Sequence, residues 1–105
     1  MKNIIGLFSA ILFIGMTDFA YADYDLLVKN NCTACHYVDK RKYGPKLNEV
    51  AAKYADDPNA AQNLAKKIKS GGSGVWGEDM MPPQAQLSNA AALELAQYIL
   101  ALKQP

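Results

Sequence analysis

The chain has 105 residues, half of them hydrophobic and a fifth charged, with eleven Lys or Arg against ten Asp or Glu and a net charge of +1. So balanced a chain is not the clearly basic domain that a nucleic-acid partner requires, and its length allows one core rather than two. Two cysteines and a single histidine are its scarce, chemically distinctive residues.

At the N-terminus, Lys2 precedes an apolar stretch over 4–16, then a polar break at Thr17-Asp18, then Ala20-Tyr21-Ala22. That order predicts a secretory signal peptide cleaved after Ala22. The apolar stretch is shorter than the roughly twenty residues needed to span a bilayer, so no stable membrane insertion is expected after cleavage. The expected organisation is a leader over 1–22 and a single domain over 23–105, exported to the periplasm. Removing 22 of 105 residues leaves 83, and the loss of Lys2 and Asp18 keeps the charge near balance. A core of this size is marginal without a staple.

The mature chain opens with an expected helix over 24–31, to which Leu26, Leu27 and Val28 bring apolar surface. It leads into Cys32-Thr33-Ala34-Cys35-His36. Two thiols three apart with an imidazole directly after the second form the attachment site of a c-type haem. On one helical turn each thiol can add to a different vinyl group of a planar porphyrin, while His36 points a ring nitrogen at the iron. A structural zinc site needs four ligands, and two Cys with one His do not supply them. A redox dithiol needs a strand–helix–strand setting, and no strand-like run precedes Cys32. A disulfide across so short a loop restricts the unfolded chain little. An attached haem supplies the missing staple, and the haem-free form is expected to fold poorly.

Beyond His36 the chain runs through Lys40-Arg41-Lys42 to Gly44-Pro45, a turn that passes the His36 side. A helix over 46–54 follows, with Leu47, Val50, Ala51 and Tyr54 on one face. Asp56-Asp57-Pro58-Asn59 ends it. The next helix, over 59–69, turns Ala61, Leu64, Ala65 and Ile68 inward and Lys66, Lys67 and Lys69 outward or toward the flanks, and Gly71-Gly72 closes it. Residues 71–87 lack helical or strand periodicity, and the Trp76, Met80 and Met81 within them predict packing against the haem face opposite His36. A last helix starts at Ser88 or Asn89, either of which can cap it, and runs to 103 with Leu95, Tyr98, Ile99 and Leu102 as its buried stripe. The expected class is all-α, about four helices wrapped around one covalently bound haem.

Haem iron takes a sixth ligand or keeps an open position. The chain has no second histidine. Met80 and Met81 stand in the long loop beside Pro82-Pro83, a stiff pair able to hold a thioether in place. A methionine is more often a filler of core gaps, but the glycine- and proline-rich context favours ligation by one of the two. Spacing alone does not choose between them.

Taken together, these segments resemble the small soluble class I cytochromes c of the c-551/c-552 group. The resemblance covers essentially the whole mature chain. It rests on the Cys32 to His36 motif, Gly44-Pro45, Val50-Ala51-Ala52-Lys53 and Lys67-Ile68-Lys69. Most specific are Gly74-Val75-Trp76-Gly77 and Met81-Pro82-Pro83. It implies the class I cytochrome c fold and makes Met81, immediately before the proline pair, the second axial ligand. It further implies that the Pro45 carbonyl accepts a hydrogen bond from His36, that the Trp76 indole reaches a haem propionate, and that Lys67 lies near one. Two positions depart from the family pattern: Met80 replaces a proline before the ligand, and Gln84 replaces an asparagine after the prolines.

Iron held by His36 and Met81 has no vacancy for substrate, so the expected function is one-electron transfer by a monomeric carrier rather than catalysis. Lys29, Lys42, Lys46, Lys66 and Lys69 are candidates for steering an acidic partner. The resemblance suggests respiratory partners such as a nitrite reductase, a terminal oxidase or a diheme peroxidase. Two other classes differ in colour and spin. An enzyme or sensor with open iron would be high-spin when ferric, and a dithiol oxidoreductase would be colourless.

Overall fold

The computed structural model describes residues 24–102, so the expected leader over 1–22 lies outside the described residues. Four helices follow in chain order: α1 (Tyr24–Lys29), α2 (Leu47–Lys53), α3 (Ala60–Ser70) and α4 (Asn89–Leu100), with a 3₁₀ turn at Cys32–Ala34 between the first two. No strand is present among the described residues, and no described helix is long and apolar enough to cross a membrane.

Helix α1 stops two residues before the expected end. Asn31 adopts a left-handed conformation, φ 60° and ψ 19°, which asparagine tolerates better than most side chains. The chain thereby swings into the 3₁₀ turn. Leu27 is fully buried, whereas Val28, expected to pack, faces solvent. Leu26 packs half-buried against the core beside Leu27.

Helix α2 lacks a side-chain cap. Its first amides instead donate to loop carbonyls, Leu47 N–H to Tyr37 at 2.9 Å and Asn48 N–H to Val38 at 3.0 Å. Those bonds satisfy donors that a helix start leaves open, and they fasten the loop after His36 to α2. Leu47, Val50 and Ala51 are buried as expected, while Tyr54 sits just past the helix end and is half-buried.

Asp57 organises the start of α3, accepting from Asn59 N–H at 2.8 Å and from Asn63 Nδ2 at 3.0 Å. Ala60, Leu64, Ala65 and Ile68 form the buried face; Ala60 takes the place expected for Ala61, which is half-buried. Gly71, with φ 63° and ψ −157°, ends the helix. In α4, Ser88 is the cap, its Oγ accepting from Ala91 N–H at 3.0 Å. The buried stripe is Ala92, Leu95, Ala96 and Ile99 at i, i+3, i+4 and i+7. Tyr98 and Leu102 flank it half-buried, and the helix ends at Leu100 rather than reaching 103.

The α3 and α4 helices pack most extensively, with α2 against α4. Leu27 and Leu87 complete the core from α1 and the long loop. One side of this small core is left open as a cavity, bounded by the 3₁₀ turn, the loop after His36, and residues 71–87.

Candidate haem site

The cavity has a volume of about 400 Å³ and a mostly apolar lining. Cys32, Cys35, His36, Pro45, Lys67, Trp76 and Met81 all line it, as does Met80. Residues separated by almost half the chain thus converge on one space. Val50, Leu64, Ile68, Leu95 and Ile99 form its floor, so the open face of the core and the wall of the site are the same surface.

The 3₁₀ turn presents the two thiols. Amides of Cys35 and His36 both donate to the Cys32 carbonyl, at 3.2 and 2.9 Å, which tightens the motif into a single turn. Neither cysteine is bridged. Burial pushes the Cys32 thiol above its ordinary pKa; a backbone hydrogen bond opposes this and the nearby Cys35 adds to it. A redox dithiol requires the opposite, a readily formed thiolate. Among the described residues no group of three or more His, Cys, Asp or Glu is arranged to hold a metal ion, which leaves the zinc reading without ligands.

His36 Nδ1 lies 2.8 Å from the Pro45 carbonyl oxygen. A carbonyl only accepts, so Nδ1 donates to it and Nε2 is the ring nitrogen left to face an iron. Gly44 passes directly beneath the ring: a Cβ there would stand 2.5 Å from His36 Cε1. Its amide also donates to the Cys35 carbonyl at 2.7 Å. The sequence marks Gly44-Pro45 as a turn and as part of the family resemblance, and neither shows that Gly44 lies against the imidazole.

Across the cavity, Met81 is half-buried and Met80 is 58% exposed. Met81 and Gly72 exchange backbone hydrogen bonds, each at 2.9 Å, forming an isolated antiparallel bridge. A Cβ on Gly71 would run into the Met81 carbonyl. Trp76 is half-buried against the core, with Lys53 Nζ 5.3 Å from its ring centroid. Gln84 turns its amide to the Pro82 carbonyl at 3.1 Å. Lys67 is exposed yet lines the cavity; of the other lysines, Lys69 is bound to Asn89 Oδ1 at 2.6 Å and Lys42 to the Thr33 carbonyl at 3.2 Å. An apolar slot lined by two thiols, an imidazole oriented through Nδ1 and two thioethers fits a haem.

The Cytochrome c family profile matches residues 24–103. The chain belongs to the cytochrome c family. It is 54% identical over 95 residues to cytochrome c-552 of Nitrosomonas europaea, covering 90% of this chain and 89% of that one. To cytochrome c-552 of Hydrogenobacter thermophilus it is 43% identical, over 91% and 97% of the two chains. The crystal structure of the wild-type Nitrosomonas protein superposes with a TM-score of 0.75 at 56% identity, over 77% of this chain and all of that one. The fold is therefore the class I cytochrome c fold, and the protein is an electron carrier with a covalent c-type haem.

Proposed function

We propose that this cytochrome c is a periplasmic one-electron carrier in which Cys32 and Cys35 hold the haem and His36 and Met81 are the axial ligands of its iron. The observation that carries the reading is that His36 and Met81 line one cavity from opposite loops, each fixed by backbone groups: His36 by the Pro45 carbonyl, Met81 by its paired bonds to Gly72. The bound haem supplies a metal centre that takes up and releases one electron.

The chain's own residues do the rest. Hydrogen bonding of Nδ1 to Pro45 keeps the imidazole oriented and makes Nε2 more basic. Pinning of Met81 by Gly72 holds the second ligand still, so that little has to rearrange between oxidation states. The apolar floor excludes water. Trp76 and Lys67 both line the cavity, which supports their roles toward the propionates, one offering an N–H donor and the other a positive charge. Thioether ligation favours the reduced metal and so raises the potential. The leader sequence supports export, and Lys67 at the cavity together with the exposed Lys29, Lys42 and Lys66 suits acidic redox partners such as a nitrite reductase, a terminal oxidase or a diheme peroxidase.

Single replacements of the two methionines test the assignment. In Met81→Leu holoprotein the ferric thioether-to-iron charge-transfer band is expected to vanish, and in Met80→Leu to persist. Persistence of the band in Met81→Leu would move the ligand to Met80.

A further inference from the structure

Two oppositely charged segments lie in the two loops that bound the cavity, Lys40-Arg41-Lys42 after His36 and Glu78-Asp79 before Met81. The two lysines turn back onto Tyr37, with Nζ atoms 4.9 and 4.8 Å from its ring centroid. Arg41 goes the other way. Its Nη2 lies 3.7 Å from Asp79 Oδ2, and both residues line the cavity. Asp79 is two positions before Met81. Among the described residues no hydrogen bond and no other ion pair holds 78–80, and the loop leading there carries positive φ at Gly71, Gly72, Gly74 and Gly77.

We propose that the Arg41–Asp79 pair is a clasp that holds the Met80–Met81 segment closed over the haem, with both residues acting as positioning residues for the thioether. The inference rests on the reading of that segment as the source of the sixth ligand and adds, beside the Gly72–Met81 bridge, a second tie on the residues just before it. Both side chains are more than half exposed, so the pair is weak on the scale of global stability and is screened by salt. Loop opening, however, is a local equilibrium with a small free energy of its own. An exposed pair of this kind multiplies the opening constant by about 1.5- to 5-fold when lost.

The test is an imidazole titration of the ferric holoprotein at about pH 8, where the competing ligand is largely uncharged and insensitive to charges at the mouth. In Arg41→Gln and in Asp79→Asn, half-saturation is expected at about 1.5- to 5-fold less imidazole than in the parent. The charge-swapped double variant, Arg41→Asp with Asp79→Arg, is expected to return toward the parent. Added salt should move the parent toward the single variants and leave those nearly unmoved. Single variants that titrate like the parent, or a swap no better than either single, overturn the clasp. The methionine replacements report separately on the ligand. Because Met80 and Met81 share the loop, the titration decides the clasp whichever thioether binds.

Discussion

On the His36 side of the cavity, backbone hydrogen bonds follow one another closely. Cys35 and His36 close on Cys32, Gly44 on Cys35, and Leu47 and Asn48 on Tyr37 and Val38. The Met81 side is hung from its two ends. Its base is the Gly72–Met81 bridge and its exit the bond from Gln84 N–H to the Ile68 carbonyl at 3.2 Å; between them stand one backbone bond, Gly74 N–H to the Gly77 carbonyl at 2.8 Å, and the Arg41–Asp79 pair, and most residues between 72 and 80 are exposed. One side is a folded turn that carries its own constraint, and the other takes its shape from what it closes over. A carrier gains from that division once the haem is bound: an imidazole held by its own turn, and a second ligand on a loop shaped by what it covers.

The largest way to break the contrast is to leave out the haem. Cys32→Ala/Cys35→Ala protein made without attachment should lose its cooperative thermal transition, forfeiting most of the about 5–15 kcal/mol typical of a small domain. The cavity exposes the floor of the core, and a domain of this size has little to spare. Amide exchange sharpens the point. Gly44, Leu47 and Asn48 should lose protection along with Gly72 and Met81, because short-range bonds alone do not offset the entropy of ordering the loop. Persistent protection on the His36 side only would mean that this half folds without its cofactor.

Next in size is a pair of glycine replacements, one on each side. Gly71→Ala puts a side chain at φ 63°, ψ −157° and against the Met81 carbonyl; strain of about 1–3 kcal/mol is expected before any displacement of the loop. Gly44→Ala presses on the imidazole, at a cost of about 1–3 kcal/mol for overpacking. Denaturant unfolding of the holoproteins measures both. The spectra should separate them, Gly71→Ala weakening the thioether band and Gly44→Ala keeping it while the reduction potential moves. Equal weakening of the band in both would erase the distinction between the two sides.

What the sequence makes legible follows the same division. Cys32, Cys35 and His36 are readable because the chemistry is local, and α3, α4 and the Ser88 cap because periodicity and capping are local too. Met81, Trp76 and Lys67 come from resemblance, and the cavity gathers them. The early end of α1 at a left-handed Asn31, the capping of α2 by Tyr37 and Val38 carbonyls, and the passage of Gly44 beneath His36 depend on where a loop lies in space. So does the Arg41–Asp79 pair, whose members are far apart in the chain. No period or spacing encodes such contacts.

The smallest expected effect concerns how the Met81 side is tied to the helices. Lys53, the last residue of α2, places Nζ 5.3 Å from the centroid of Trp76, so the helix that begins on the His36 side ends by covering an anchor of the other loop. An exposed cation over an indole contributes about 0.5–1 kcal/mol. Lysine at a helix C-terminus also gains about 0.3–1 kcal/mol from the helix dipole, so Lys53→Met alone mixes the two contributions. A cycle with Trp76→Leu separates them. The dipole contribution survives the loss of the indole, and the ring contact does not. Unfolding free energies of the holoproteins should therefore reveal a coupling of about 0.5–1 kcal/mol, with Lys53→Arg behaving like the parent. A coupling near zero would reduce Lys53 to a helix-end charge and leave Trp76 held by packing and by the haem it faces.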